Sequence, residues 1–271
     1  MILRFVMYFF NNLINRLFRA DSLDVAARRA GYVSDQMGIR SRFLRENTNW
    51  QSHLDNTRNF IVEAANQLTI RKSVAVLGSG WLYDVPLEQL SQMFDSVTLV
   101  DIVHPEPVRQ KASRMPNVTL LCADLTGGAV MAATQSESFS QFVDWLPNAA
   151  PSVSFDNFDL VVSVNLLNQL DIILCDYLKK RFGVSDSELL PVRQTVQQQH
   201  ISWLPKNHSC LITDYLQIDK PVGGEPPVET RLLFADLSDL PPFKEWEWVF
   251  DTSQRYSVKN NTYFKVMAVC F

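Results

Sequence analysis

The chain has 271 residues, of which 46% are hydrophobic and 20% are charged, a balance typical of a chain that buries a full core and not of a disordered one. The formal net charge of −4 creates no global basic field, so the composition argues against a nucleic-acid partner. This length accommodates one large α/β domain or two small domains.

The first 20 residues have the periodicity of an amphipathic helix. Their longest uninterrupted apolar run, residues 5–10, is too short to span a bilayer or to serve as the apolar core of a signal peptide. Arg4, Arg16 and Arg19 fall on the polar side of the helix. Two explanations fit this pattern: the apolar face of residues 1–20 packs on the protein or a partner, or it makes peripheral contact with a membrane.

Residues 21–70 have a sequence pattern typical of helices, which Gly31 and Gly38 interrupt. Five arginines between residues 21 and 45 indicate a solvated helix face. A helical period that includes Trp50 and His53 then leads toward residue 70. We predict that residues 1–70 form an N-terminal helical extension, in which residues 21–70 are helices that cover the mouth of a following sheet.

The pattern then changes to a strand, a glycine turn, a helix and a second strand. Ser73–Leu77 is a short apolar run that is followed at once by a turn containing Gly78 and Gly80, and a second buried run over residues 96–100 ends on Asp101. Glycine permits a sharp turn and a close approach of a ligand to the backbone. A carboxylate about 20 residues beyond the turn can accept hydrogen bonds from both hydroxyls of a ribose. This unit predicts a nucleotide-binding site.

The alternation of apolar strands and helices continues, and the last two strands have no helix between them. The further strands are predicted within residues 117–125, 158–170, 208–216, 245–251 and 262–271, with a helix over residues 185–204 and proline-rich connectors before residue 245. Near-continuous apolar strands indicate a sheet that is covered on both faces. We therefore predict an α/β fold over residues 71–271: a Rossmann-like, doubly wound, mostly parallel seven-stranded sheet with a C-terminal antiparallel hairpin.

Roughly residues 72–271, with the motifs VAVLGSGWL, VTLVDIV, LLCADL and FDLVVSVNLLNQL, resemble the class I S-adenosylmethionine-dependent methyltransferase superfamily. The resemblance implies S-adenosylmethionine as the cofactor and methyl transfer as the activity. The apolar and aromatic extension adds the expectation of a small, hydrophobic acceptor molecule.

The resemblance also implies roles for residues at the ends of the first two strands. Gly78, Ser79 and Gly80 are expected to pass beneath the methionine part of the cofactor. Asp101 is expected to bind the ribose hydroxyls, with Ile102 against the adenine.

At the next two strand ends, the resemblance implies that Asp124 and Leu125 hold the edge of the adenine. Ser163 and Asn165 are expected to line the floor near the sulfonium. His53 lies on the predicted covering helix beside Trp50, a plausible wall for the acceptor, and we take His53 and Asn165 as the candidate catalytic residues. His104, Tyr83 and Asp214 are further groups that could reach the carboxyl ends of the strands.

Two positions depart from the superfamily's pattern. Val76 replaces the usual acid before the glycine turn, and Leu82 replaces the third glycine, which leaves the contacts to the amino-acid end of the cofactor open. Asp84 fits two roles: it supplies the missing carboxylate, or it caps the helix before Pro86. The helix cap is the favoured interpretation because aspartate suits a helix start and a proline follows it.

Two other classes of function fit the sequence less well. A methyltransferase-like domain without activity would serve as a binding or assembly module, and Val76 and Leu82 are compatible with it. An NAD(P)-dependent oxidoreductase also uses a glycine turn and an acid. However, its third glycine would be Tyr83 here, and the chain has no Tyr-x-x-x-Lys pair.

The cysteines and histidines predict no metal site. Cys122, Cys175, Cys210 and Cys270 include no C-x-x-C pair, so we expect free, buried thiols in a reducing compartment and a cytoplasmic protein. The four histidines form no metal-ligand cluster in the sequence.

Overall fold

The computed structural model describes residues 23–271, so the amphipathic helix predicted for residues 1–20 lies outside the described residues. The described chain is built around one eight-stranded sheet. Its strands are β1 (Ser73–Leu77), β2 (Ser96–Asp101), β3 (Val118–Cys122), β4 (Leu160–Val164), β5 (Ser209–Pro221), β6 (Val228–Arg231), β7 (Lys244–Asp251) and β8 (Asn260–Cys270).

The order of the strands confirms the predicted fold class. They lie in the order β3-β2-β1-β4-β5-β8-β7, and β6 pairs with β5. Strands β1 to β5 run parallel to one another. Strand β8 is antiparallel to both β5 and β7. The sheet is extended on opposite sides of β1 by β2 and by β4, and open α/β sheets bind ligands at such a switch point.

The sheet has one strand more than the seven predicted. The additional strand, β6, lies in a segment predicted to be a proline-rich connector, and all of its residues are exposed. No apolar pattern therefore marks it in the sequence. It forms because β5 continues beyond residue 216 to Pro221, and residues 216–219 of β5 pair with β6 beyond the point where β4 ends.

Helices lie on both sides of the sheet. They are α1 (Tyr32–Gln67), α2 (Leu87–Met93), α3 (Glu106–Ala112), α4 (Ala129–Gln135), α5 (Phe139–Trp145), α6 (Leu167–Phe182) and α7 (Asp186–Trp203). Gly31, with a φ of 103°, separates α1 from helical residues 23–30. Gly38 lies inside α1 without interrupting it, so that part of the prediction is wrong; a glycine costs a helix interior only about 1 kcal/mol. Within residues 23–271, no helix has the length and hydropathy required to cross a bilayer.

Alternating side chains of the central strands build a separate core on each face of the sheet. Val74 and Val76 of β1 pack in the cluster that includes Trp50 and Ile61 of α1. Leu77, on the opposite face of the same strand, belongs to the cluster that includes much of α6 and α7. The α1 helix is therefore fixed to the sheet by buried apolar side chains. The predicted division of the chain at residue 70 stays a prediction.

The prediction of free cysteines is wrong for Cys210 and Cys270, which form a disulfide between β5 and β8. The two residues are directly opposite each other in the antiparallel register, with their Cα atoms 4.2 Å apart. The neighbouring pair, Ser209 and Phe271, exchanges both backbone hydrogen bonds. The cysteines therefore occupy the non-hydrogen-bonded position, where opposed side chains approach each other most closely. Cys175 is buried with a free thiol, as predicted, whereas the free thiol of Cys122 is exposed.

We predict that the protein, purified without reductant and then denatured, contains two reactive thiols, because only Cys122 and Cys175 are free. A thiol titration before and after reduction should give two and then four thiols. The Cys270→Ser variant serves as the control and should give three thiols under both conditions. Four reactive thiols in the unreduced wild type would contradict the pairing.

Candidate active site

A cavity opens at the carboxyl ends of β1 to β4 and beside Asp214 of β5, at the switch point of the sheet. Helix α1 and the β7–β8 hairpin form its outer walls. Eight of the ten residues predicted to be catalytic or cofactor-binding line this cavity: His53, Gly78, Gly80, Asp101, Ile102, Asp124, Leu125 and Asn165. The fold thus brings most of the predicted site together, while the roles of these residues stay predictions.

The turn after β1 requires glycine at residue 78. Gly78 has a φ of +78°, and a Cβ atom there would lie 2.9 Å from Cβ of Leu166 and 3.0 Å from the carbonyl oxygen of Val164. Gly80 also has a positive φ, but a Cβ there would meet no atom closer than 3.8 Å. At residue 78, both packing and backbone conformation therefore require glycine. At residue 80, backbone conformation alone favours it.

Leu82, which replaces the third glycine of the superfamily pattern, adopts a left-handed conformation with a φ of 61°. This conformation costs a residue with a side chain about 1–2 kcal/mol. The side chain is buried in the cluster on the α1 face of the sheet, and burial of a leucine contributes about as much in the opposite direction. Burial of the side chain thus offsets the cost of the backbone conformation at this position.

Asp101, at the end of β2, is held by three hydrogen-bond donors. The backbone N–H of Gly80 donates to Oδ2 at 2.7 Å, and the N–H of Ile102 donates to Oδ1 at 2.8 Å. The amide group of Gln36, on α1, donates to Oδ1 at 3.2 Å and to the carbonyl oxygen of Val103. Burial raises the pKa of Asp101, and the N–H of Gly80 opposes that shift. The carboxylate is thus fixed in orientation where the cavity meets the glycine turn.

Asp124 is also buried, but its carboxylate is fully engaged by the segment that follows it. It accepts hydrogen bonds from the backbone N–H and the hydroxyl of Thr126 and from the N–H of Val130 at the start of α4. Burial raises its pKa. Asp124 therefore shapes the turn after β3 and places Leu125 in the cavity wall.

The two candidate catalytic residues lie side by side. Nε2 of His53 is 3.2 Å from Nδ2 of Asn165. The indole N–H of Trp246 donates to Nδ1 of His53 at 3.1 Å, and the ring of Trp248 stacks on the imidazole with centroids 3.9 Å apart. Burial, followed by the charge of Arg58, lowers the pKa of His53 to about 3. His53 is therefore a neutral, immobilised group and a weak base.

Ser79 and Ser163, which were expected beside the cofactor, are not among the residues that line the cavity, and their roles stay predictions. Ser163 lies on the opposite face of β4 from Val162 and Val164, and its hydroxyl is 2.9 Å from Nε2 of His200 on α7. The alternation of side chains along a strand explains this placement, because the residues on either side of Ser163 face α1. Ser79 is buried, and its hydroxyl has no hydrogen-bond partner within residues 23–271.

The interpretation of Asp84 as a helix cap is wrong. Helix α2 begins after Pro86, and no side chain caps it. The Asp84 carboxylate instead accepts a hydrogen bond of 2.6 Å from Nδ2 of Asn165 and lines the cavity. Burial raises the pKa of Asp84. The cavity thus contains a carboxylate near the glycine turn, although Val76 itself supplies none.

The structure also places other sequence candidates. Tyr83 and Asp214 line the cavity, whereas His104 lies outside it, with Nε2 3.2 Å from the carbonyl oxygen of Leu121. Arg42 was expected on a solvated face, but its guanidinium lies over the ring of Phe250, 5.5 Å from the centroid. The arginine faces inward because the β7–β8 hairpin packs on this part of α1.

Sequence reasoning missed several residues of the cavity wall. The β7 residues Trp246, Trp248 and Phe250 alternate along the strand and share the face toward α1. Trp248 and Phe250 line the cavity, whereas Trp246 contributes through its hydrogen bond to His53. Their period of two in EWEWVFD was the signal that could have identified this aromatic wall. Gln36 carries no such signal, because its contact with Asp101 depends on how α1 lies across the sheet.

No protein-family model matches the chain, and no curated protein matches it in sequence. Several solved structures are similar in fold. The DhpI complex with S-adenosylhomocysteine is 14% identical, with a TM-score of 0.38, over 87% of this chain and 95% of that one.

A second similar structure is the 1,6-didemethyltoxoflavin-N1-methyltransferase of Burkholderia thailandensis, with bound 1,6-didemethyltoxoflavin and S-adenosylhomocysteine. It is 12% identical, with a TM-score of 0.41, over 91% of this chain and 89% of that one. Coclaurine N-methyltransferase, bound to N-methylheliamine and S-adenosylhomocysteine, is 13% identical, with a TM-score of 0.39, over 81% and 70%. The fold of the described chain is Rossmann-like, with a mostly parallel sheet and antiparallel C-terminal strands.

We predict that Gly78→Ala lowers the free energy of unfolding by about 2–4 kcal/mol, because the new methyl group adds a steric clash to an unfavourable backbone conformation. Gly80→Ala should cost only about 1 kcal/mol, since it meets the conformational penalty alone. Urea unfolding of the two variants and the wild type measures the difference. Equal losses would show that Leu166 does not constrain the turn.

We predict that His53 makes the protein less stable as the pH falls. Above pH 6.5 the imidazole is neutral in both the folded and the unfolded state, but between about 6.5 and about 3 only the unfolded state takes up the proton. This difference lowers the free energy of unfolding by up to about 1.4 kcal/mol per pH unit. Between pH 7 and pH 5, His53→Gln should therefore lose about 1–2 kcal/mol less than the wild type.

Urea unfolding at both pH values tests this expectation. His208→Gln is the matched control, since His208 is exposed, and its loss between the two pH values should equal that of the wild type. An unchanged pH dependence in His53→Gln would mean that the folded state protonates His53 as readily as the unfolded state does.

Proposed function

We propose that the protein transfers a methyl group from S-adenosylmethionine to a small, apolar acceptor molecule. The observation that carries the proposal is the pinned carboxylate of Asp101, which lies beside the glycine turn at the switch point of a doubly wound sheet. A fixed carboxylate at the end of β2 is the arrangement that binds the hydroxyls of a nucleoside ribose in such sheets.

The other cavity residues fit the parts of this cofactor. Ile102 and Leu125 offer apolar side chains to the adenine, and the glycine turn leaves room for the chain that links the ribose to the methionine. The buried carboxylate of Asp84 suits the ammonium group of the methionine and compensates for the missing acid at Val76. Asp84 would then keep its hydrogen bond to Asn165 and hold that amide in place.

The cofactor supplies a methyl group that is already activated by its sulfonium, so the protein has to bind, orient and exclude water. Positioning of the reactants supplies much of the rate in such reactions. His53 and Asn165 are proposed to position the acceptor, because each is buried and held by neighbouring side chains. The low pKa of His53 argues against a role as the general base.

A non-catalytic binding module is the alternative function. The observation that favours it is the same neutral, fully packed His53, since the candidate catalytic pair lacks a free base. Retained cofactor binding would be compatible with both functions. A screen for methyl transfer to small apolar acceptors separates them, because turnover would exclude the module.

We predict that S-adenosylhomocysteine binds to the wild type and that Asp101→Ala weakens this binding. Loss of two hydrogen bonds from a ribose to a charged acceptor corresponds to about 3 kcal/mol, or about 100-fold in Kd. Isothermal titration calorimetry measures both constants. Asp95→Asn is the matched control, because Asp95 is an exposed acid that precedes the same strand.

Parallel titrations with NAD and NADP decide between the classes of cofactor. Binding of a nicotinamide nucleotide in place of S-adenosylhomocysteine would overturn the methyltransferase proposal in favour of an oxidoreductase. Binding of none of these ligands would also overturn it. An unchanged Kd in Asp101→Ala would remove the ribose role from that carboxylate.

A further inference from the structure

We propose that the part of the cavity between β5, the β7–β8 hairpin and α1 is a binding site for an apolar amine in its protonated form, with Asp214 as the partner of the ammonium group. The inference rests on the proposed function, in that the remainder of the cavity is assigned to the cofactor. It names the class of acceptor, which the proposed function leaves open.

Asp214 is a buried carboxylate with unused hydrogen-bonding capacity. It lies at a β-bulge in β5, opposite Val266 of β8, and only 3% of its surface is exposed. Oδ2 accepts a hydrogen bond of 2.8 Å from Nδ2 of Asn168. Oδ1 has no hydrogen-bond partner within residues 23–271, although Asp214 lines the cavity. A buried carboxylate oxygen without a hydrogen-bond partner lowers the stability of the protein unless a ligand donates a hydrogen bond to it.

The cavity also has aromatic walls on the face of the sheet that Asp214 shares, because Val266, its partner on β8, belongs to the same cluster as Trp248, Phe250 and Phe264. The rings of Trp248, Phe250, Tyr256 and Phe264 line it and contact one another. The centroid of Phe250 lies 4.9 Å from Trp248, 4.9 Å from Tyr256 and 4.6 Å from Phe264. Trp50 of α1 adds a ring 4.9 Å from Trp248. Aromatic faces attract cations and also bury the apolar groups that the cation carries.

The charges of the cavity favour a cationic ligand beyond the cofactor. Five aspartates line the cavity, and Arg42 is the one cationic side chain among its lining residues within 23–271. Nη2 of Arg42 lies 3.9 Å from Oδ1 of Asp35, so the charges of these two side chains largely balance each other. S-adenosylmethionine carries a sulfonium, an ammonium and a carboxylate and is a cation overall, but it leaves carboxylates of the cavity uncompensated.

The environment of each remaining aspartate singles out Asp214. Asp101 and Asp124 accept hydrogen bonds from backbone N–H groups, and Asp84 accepts one from Asn165 and is assigned to the ammonium group of the cofactor. Asp214 is the aspartate of this set with a buried oxygen that has no hydrogen-bond partner within residues 23–271. Burial raises the pKa of Asp214 to about 6, and an adjacent ammonium group would lower it again, so the bound pair would be ionic at neutral pH. A neutral alcohol or phenol would leave this charge unpaired, whereas an ammonium group would pair with it.

A metal ion is a poor fit for this charge. Within residues 23–271, no group of three or more histidine, cysteine, aspartate or glutamate side chains is placed to hold one. Of the rings that line this part of the cavity, only that of Tyr256 carries an oxygen. The site thus combines a single anionic partner with apolar surfaces, which is the chemistry that recognises an aliphatic or aralkyl amine.

The test compares three ligands of similar shape and different charge: phenethylamine, 2-phenylethanol and 3-phenylpropionate. Their dissociation constants for the full-length protein, with and without S-adenosylhomocysteine, are measured by titration of tryptophan fluorescence. The cation should bind at least about tenfold more tightly than the alcohol, and the anion should bind least. Equal binding of phenethylamine and 2-phenylethanol to the wild type would overturn the inference without the use of any variant.

Asp214→Asn removes the charge while it keeps the shape of the side chain. It should weaken phenethylamine binding at least about tenfold and leave 2-phenylethanol binding unchanged, which also shows that the variant is folded. Asp219→Asn is the matched control, because Asp219 lies on the same strand outside the cavity. An unchanged affinity of Asp214→Asn for the amine would overturn the assignment of Asp214.

The titration with S-adenosylhomocysteine separates the two proposals. Binding of this ligand without selection for the amine would overturn the amine site and leave the methyltransferase proposal intact. Selective, Asp214-dependent amine binding without binding of S-adenosylhomocysteine would support the amine site and overturn the proposed function.

Discussion

The hydrogen bond from the backbone N–H of Gly80 to the carboxylate of Asp101 joins the two strand ends on which the cavity depends. A buried carboxylate requires such donors, and charge-assisted hydrogen bonds from fixed backbone groups hold it in one orientation. Gln36 donates to the same carboxylate from α1, so the position of the covering helix depends on the same group. The turn after β1, the end of β2 and α1 are thus mutually constrained by one acidic side chain, and the conformation of Gly78 allows the turn to approach it.

The two halves of the cavity satisfy their buried charges differently. Near β2 and β3, backbone N–H groups supply two of the three donors to each of Asp101 and Asp124, and this half is preorganised. Near β5, a side-chain amide supplies one donor to Asp214 and leaves the other oxygen open. His53 stands between these halves as a neutral group, because the rings of Trp246 and Trp248 exclude the water that would stabilise its charged form. Among the five aspartates that line the cavity within residues 23–271, Asp214 is thus the one with a buried oxygen that has no hydrogen-bond partner.

Much of the fold could be predicted because the signals are local. The apolar run before Gly78, the spacing to Asp101 and the alternation of strands and helices all lie in short stretches of sequence. What escaped prediction depends on contacts between distant segments. Strand β6 is formed by backbone pairing with an extended β5, Cys210 meets Cys270 only in the antiparallel register, and Ser163 faces away from the cavity because of the phase of β4. The number of strands, the cysteine pairing and part of the cofactor floor could therefore not be obtained from periodicity alone.

The contact between α1 and β7 has a consequence for how the protein is made. The indole N–H of Trp50 donates to the carbonyl oxygen of Phe250 at 2.7 Å, across 200 residues of sequence, and Glu46 accepts hydrogen bonds from Thr252 and Ser253. At a translation rate of about 5–20 residues per second, the strand that buries the aromatic face of α1 is synthesised on the order of 10–40 s after α1 itself. Closing the long loop between α1 and β7 has an entropic cost that local helix formation does not offset. The cavity wall is therefore among the last parts to form, and the nascent chain exposes Trp50 and His53 until β7 emerges.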